Sequence, residues 1–290
     1  MRRMYRFNPK QKGATLIQLL VGLAVAAFVI LMVERMYFVL RAKYYNNVSA
    51  LEENTKALEL SQAIRSSIDD ATTPSSFGMW PWQIKTLRVP GESFNPLNYP
   101  PVYAATSLTN LNLSSQVSGT DILLIQGVLA SETTTSVIMS SSTSVNIPTN
   151  MSIGSSDYVL LADDSGYELM KSASNSTGSS VTVTQGPSRD FAIGSYLAHY
   201  QTLVFYLYQD GADEDVYLLT DNAASGDELL QKIEDFQIEY YLNGAWSAVS
   251  SETTSGYVDS WYKEVKGIRV SYSVNGKAYT AIVAIKQNNL

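Results

Sequence analysis

Twenty consecutive residues near the start of this chain, 14–33, carry no charge and only one amide, Gln18. As a helix they would extend roughly 30 Å, at about 1.5 Å per residue, which matches the hydrocarbon core of a bilayer. A helix that is apolar on every side needs lipid or other apolar helices around it. Five basic residues precede the run (Arg2, Arg3, Arg6, Lys10 and Lys12), and no acidic residue occurs in the first thirteen positions. That bias predicts a cytoplasmic N-terminus, with the rest of the chain on the far side of the membrane.

Three readings of this stretch compete. A secretory signal peptide would use the small residues Ala24 and Ala26 for cleavage. It would then leave Phe28, Val29, Ile30, Leu31, Met32 and Val33 as an apolar stub on a secreted protein. A plain transmembrane anchor accounts for the length and the flanking charge but not for the junction in front of the run. That junction is Lys12-Gly13-Ala14-Thr15-Leu16-Ile17-Gln18-Leu19-Leu20. It resembles the class III signal of type IV pilins and pseudopilins, where a prepilin peptidase cuts after the glycine and leaves the apolar helix on the mature protein.

The resemblance implies cleavage between Gly13 and Ala14, removal of a leader of residues 1–13, and N-methylation of Ala14. The family pattern after the cut is commonly Phe-Thr-Leu-Ile-Glu-Leu. This chain keeps Thr15, Leu16, Ile17 and Leu19 and departs at Ala14 and Gln18. The second departure matters more. In the family the glutamate is thought to pair with the N-terminal amine of a neighbouring subunit, whereas Gln18 can accept a hydrogen bond without neutralising a charge. A carboxylate in such surroundings is costly unless paired, and an amide is less so. Gln18 is therefore the filament assembly position in which this chain is unusual, as in a low-copy subunit near a fibre tip. The alternative is a tolerated polar residue near the membrane interface.

Helix formers continue beyond the apolar run, with no proline or glycine in residues 34–68. Leu60, Ile64 and Ile68, with Ala57 and Ala63, make an apolar stripe, and Glu52 and Lys56 stand at a favourable i,i+4 spacing. One helix over 14–70 would measure roughly 85 Å; a break near Tyr44-Tyr45-Asn46-Asn47 is the alternative. Tyr37, Phe38, Tyr44 and Tyr45 fit an interfacial aromatic belt. Six of the nine prolines fall in residues 73–101, which excludes regular helix there and predicts an ordered loop with short strands. After that, short β-patterned runs dominate, at 121–126, 158–162, 167–170, 180–184, 202–208 and 216–219. Asp210-Gly211 predicts a hairpin, and Asn275-Gly276 between alternating runs predicts another more strongly. Residues 227–235 suit either a short helix or a strand entry, and the Ser/Thr-rich residues 131–156 suit long loops or a small β insertion.

The head extends the resemblance. Residues 155–172, 228–242 and 261–285 look like segments of PilW-like minor pilins, with J-type pseudopilins of type II secretion close behind. PilW-like heads often carry cysteines, and this chain has none, so its core must hold without disulfides. The expected fold is α+β, a long N-terminal helix packed on an antiparallel β-rich head. Its expected parts are a leader (1–13), a transmembrane and assembly helix (14–33), a helix continuation on the head (34–70) and a β-rich head (71–290).

Composition narrows the function. Beyond residue 13 there are 15 basic and 27 acidic residues, a net −12, so the acidic head is not expected to bind a nucleic-acid backbone. His199, the one histidine, sits in a strand-like run with no Gly-x-Ser-x-Gly elbow in the chain, and a structural role is its ordinary reading. Asp210, Asp213, Glu214 and Asp215 lack the glycine and glutamate spacing of a calcium loop, so a surface turn is their ordinary reading and a weak calcium site the alternative; Asp163-Asp164 is a weaker cluster still. No catalytic residue, cofactor or metal is therefore expected. The resemblance implies a non-enzymatic minor pilin that supports twitching motility, adhesion or DNA uptake. Its implied partners are major and minor pilins, the prepilin peptidase and an inner-membrane assembly platform. It would reside in the inner membrane with a periplasmic head before assembly and in the pilus at the cell surface afterwards. A type II secretion pseudopilin and a membrane-anchored periplasmic hydrolase or binding protein are the alternatives.

Overall fold

The computed structural model describes residues 10–71 and 84–285, except 85, 90, 92, 109, 112, 114, 134–135, 149–150, 177–178, 212, 222, 224 and 251–263. For residues 10–15 and 129–133 only the backbone is described. Much of the proline-rich stretch, including Trp80 and Trp82, lies outside the described residues. The chain divides into two compact units, Met1–Thr55 and Lys56–Leu290.

Helix α1 runs Lys10–Ala71 without interruption, so the Tyr44–Asn47 region does not break it. In the first unit every side chain of residues 16–47 is exposed. The most apolar window has a mean hydropathy of 2.8, and none of it is buried. Among the described residues this is the one helix long and apolar enough to cross a membrane. The aromatic side chains sit on that exposed surface, with Tyr37 and Phe38 edge to face at 6.0 Å and Arg41 over the Tyr45 ring at 5.5 Å.

The second unit begins with the last four turns of α1. Ala57, Leu60, Ile64, Ile68 and Ala71 are buried, the spacing of one helix face. Each large aliphatic here removes enough surface from water to stabilise by about 1.5–3 kcal/mol. Lys56, which the sequence pairs with Glu52, donates to the Gln231 carbonyl at 3.2 Å, and the Tyr272 hydroxyl donates to the Ala57 carbonyl at 2.6 Å. Where the helix ends it crosses Gly127, and a Cβ there would stand 3.1 Å from the Ala71 Cα. Glycine is what permits that approach.

Fourteen strands follow among the described residues. Six of them form the ordered path β1-β6-β5-β8-β3-β2 of an eight-stranded sheet: β1 (Thr86–Arg88), β2 (Val102–Ala105), β3 (Ile122–Thr133), β5 (Tyr158–Asp163), β6 (Gly166–Lys171) and β8 (Tyr196–Asp210). β9 (Asp213–Thr220) pairs with β8 and carries β10 (Asp227–Gln231) on its other side. A four-stranded sheet has the order β12-β11-β13-β14, from β11 (Ile233–Leu242), β12 (Ala245–Ala248), β13 (Val265–Val274) and β14 (Lys277–Ala284). In the Ser/Thr-rich residues 131–156 a short strand β4 (Ser144–Asn146) forms and pairs with β7 (Ser180–Thr182). The pairing of the described strands is antiparallel except that β1 runs parallel to β6, so a long helix followed by a β-rich part with antiparallel sheets gives the α+β fold expected.

Both hairpins expected from turn chemistry form. Asn275 and Gly276 have φ of 50° and 75° between β13 and β14, the pair of left-handed residues that a tight hairpin turn requires. Residues 227–235 are strand, interrupted at Lys232. The main core lies between the buried face of α1, the inner face of β11, β13 and β14, and one face of β2, β3, β8 and β9. Asp121 ties the two sheets together: its carboxylate accepts the Ile238 N–H at 2.6 Å, and its own N–H donates to the Phe236 carbonyl. On the opposite face, the buried Gln126 amide donates to the carbonyls of Pro96, Tyr99 and Pro100 at 2.7–3.2 Å. It thereby anchors a segment whose prolines have no N–H of their own.

Candidate functional site

Two features stand out, one in each unit. In the first, Gly13 and Ala14 lie within the helical backbone of α1, and Gln18 is exposed one turn later. Leu16, Ile17, Leu19 and Leu20 around it are more than half exposed. An amide among exposed apolar side chains keeps its hydrogen-bonding capacity for whatever covers that surface.

In the second unit the topology makes a notch. β8 is long enough to hold two partners on one side, β5 against residues 196–200 and β9 against residues 203–210. Between them, at Gln201 and Thr202, neither strand supplies a partner. Asp221, immediately after β9, closes the gap. Its N–H donates to the Thr202 carbonyl at 2.9 Å, and its Oδ1 accepts the Thr202 N–H at 2.7 Å and the Thr202 hydroxyl at 3.2 Å. The carboxylate thus continues the ladder in place of a strand, with its backbone in the left-handed region at φ 51°. Asp157, just before β5, enters from the other side, and its Oδ2 accepts the Gly154 N–H at 2.6 Å.

His199 projects between them. Its Nε2 is 3.2 Å from Asp157 Oδ2 and 3.8 Å from Asp221 Oδ2, with the three side chains 12%, 21% and 5% exposed. Nε2 and Asp221 Oδ2 are thus buried at ion-pair distance, and neither has a well-formed hydrogen bond. Leaving such a group unsatisfied costs about 1–3 kcal/mol. Burial alone would lower the imidazole pKa, but the two carboxylates override it and hold the group up to about 9. Asp221 is raised by burial, which the His199 and Thr202 contacts only partly offset. For Asp157 burial also acts upward, yet His199 and the Gly154 N–H outweigh it and the net shift is downward.

No protein-family model, curated protein or solved structure matches this chain.

The other acidic candidates of the sequence take the following places in the structure. Strand alternation places Asp213 and Asp215 on one face of the β8–β9 hairpin and Glu214 on the other. Buried Asp215 accepts the Lys232 N–H at 2.8 Å. Asp163 holds Arg189 through two contacts at 2.6 and 2.7 Å, and the guanidinium stacks on Phe191 at 4.1 Å. Among the described residues, the group of three or more potential metal ligands that converges is Asp157, His199 and Asp221, within 4.8 Å of one another. Sequence reasoning had His199 but neither aspartate. Each sits beside a strand end, where aspartate ordinarily reads as a turn residue.

Proposed function

We propose that this chain is a minor type IV pilin, a filament subunit that waits in the inner membrane and leaves it by assembly. The observation that carries the reading is the character of α1. Over residues 16–47 its side chains are all exposed, and most of them up to Leu40 are apolar; over residues 57–71 it offers one buried face to the head. A lone anchor needs the first property only. A helix that is apolar all round at one end and core-forming at the other suits a subunit that exchanges lipid for neighbouring helices while its head stays folded.

The Gly13-Ala14-Thr15-Leu16-Ile17-Gln18-Leu19 junction supplies the processing step of this proposal, and Lys10 and Lys12 keep the leader on the cytoplasmic side. The work of such a protein is association with other pilins rather than catalysis. N-terminal mass spectrometry of the mature protein tests it. A start at methylated Ala14 is the expected result; an intact Met1, or a start at Ala27 or Phe28, would overturn the reading in favour of an anchor or a cleaved signal.

A further inference from the structure

We propose that the notch beside β8 is a binding site for one divalent transition-metal ion, Zn²⁺ foremost, held by Asp157, His199 and Asp221. The inference is independent of the filament reading.

The donor set is the first argument. One imidazole nitrogen and two carboxylate oxygens suit zinc, whereas magnesium and calcium prefer oxygen alone. The second is spacing. Donors about 2.1 Å from a tetrahedral ion stand roughly 3.4 Å apart. Here Nε2 lies 3.2 and 3.8 Å from the two carboxylate oxygens, and all three ligand atoms fall within 4.8 Å of one another. Nε2 and Asp221 Oδ2 stand wider than that spacing, so loading draws the donors inward, and Asp157, the most exposed of the three, would have to shift from its present contact with the Gly154 N–H.

The third argument is what the site leaves unmet. Asp221 is held rigidly through Oδ1 by Thr202, and its side chain is 95% buried, yet Oδ2 points at Nε2 with no hydrogen-bond partner. Nε2 is in the same position. A single ion between them satisfies both atoms at once. It also clamps the start of β5 and the end of β9 to β8, joining segments 64 residues apart in sequence. The three protein ligands leave a fourth position for water.

The composition makes the test unusually clean. His199 is the only histidine, and there is no cysteine, so in untagged protein an imidazole signal on zinc has one source. Detergent-solubilised full-length chain is stripped with chelator and titrated with Zn²⁺ by calorimetry, and X-ray absorption is recorded on the loaded form. The expected result is one equivalent bound, a raised melting temperature that Mg²⁺ does not reproduce, and a first shell of one imidazole with oxygen donors. His199→Gln and Asp221→Asn should each weaken binding at least tenfold. Where Asp221→Asn fails to fold, the wild-type absorption spectrum decides alone. Failure to bind, a shell without imidazole, or unchanged affinity in a folded variant would overturn the proposal and leave a buried ion triad with imidazolium as its cation.

Discussion

The two ends of α1 share a backbone conformation and differ in what surrounds them. Residues 16–40 are apolar in nearly every direction and exposed throughout; residues 57–71 are apolar on one stripe, and that stripe is buried. Helix propensity does not distinguish them, since neither contains proline. Only Gly22 interrupts the former, and nothing lies within 4 Å of its missing Cβ. The difference teaches that the pattern of apolar residues around the helix, not their number, indicates whether a segment seeks a protein core or an apolar solvent. It also implies that the same substitution has different consequences at the two ends.

Aspartate at Ile64 is the largest test of that contrast. Ile64 is fully buried, so a carboxylate there has no cation to meet and should cost at least about 4 kcal/mol, much of the stability of an ordinary domain. The head should lose its cooperative thermal transition. Aspartate at Ile30 should leave that transition where it is and instead weaken membrane insertion, by about 2.5–3.5 kcal/mol, read by fractionation between membrane and soluble extracts. If Ile30→Asp shifts head melting as far as Ile64→Asp does, the two ends are not the separate environments described.

Smaller effects stay within the head. Gln126→Leu removes the donor shared by three carbonyls around Pro96 and Pro100 and should cost about 2 kcal/mol, seen as a lower denaturant midpoint with no change in membrane partition. Below that comes the Asp163–Arg189 pair. The Arg189 guanidinium foremost, with the Ser165 and Gly166 N–H groups, outweighs burial and holds the Asp163 carboxyl below its ordinary value. Its stabilisation is therefore present above the unfolded pKa near 4 and lost as pH falls through the folded value. Arg189→Met should cost about 1 kcal/mol near neutral pH, and less once acid has protonated Asp163. Denaturant midpoints of both proteins across the acid range check the convergence.

What was legible in the sequence was local. Asn275-Gly276 specifies its hairpin through two left-handed residues, and the Leu60, Ile64, Ile68 stripe through helical spacing. The Tyr-Leu-Ala-His-Tyr run and the 202–208 run were each readable as strand, but not as halves of one fifteen-residue strand with two partners on one side. That continuity is what creates the notch. Asp157, His199 and Asp221 meet only because β5 begins where β9 ends, a fact of topology that no short window contains. The parallel pairing of β1 with β6 was hidden for a similar reason: short strands are expected among the prolines, but their partner is not, since Thr86 and Glu168 are far apart in sequence.

The last and thermodynamically smallest change isolates assembly from folding. Gln18 is exposed on α1, so Gln18→Glu should leave the melting temperature of the head unchanged. Within the bilayer the added carboxylate is unfavourable on its own. On the proposed pilin reading it would gain, in a filament, the amine of a neighbouring processed subunit, a charge-assisted contact that an amide makes only weakly. The expected outcome is more copies of this subunit per filament at equal expression, counted by quantitative mass spectrometry of sheared fibres. Unchanged copy number would mean that recruitment is governed by head contacts, and that residue 18 is a spectator at the apolar end of α1 rather than the position that sets how often this subunit enters.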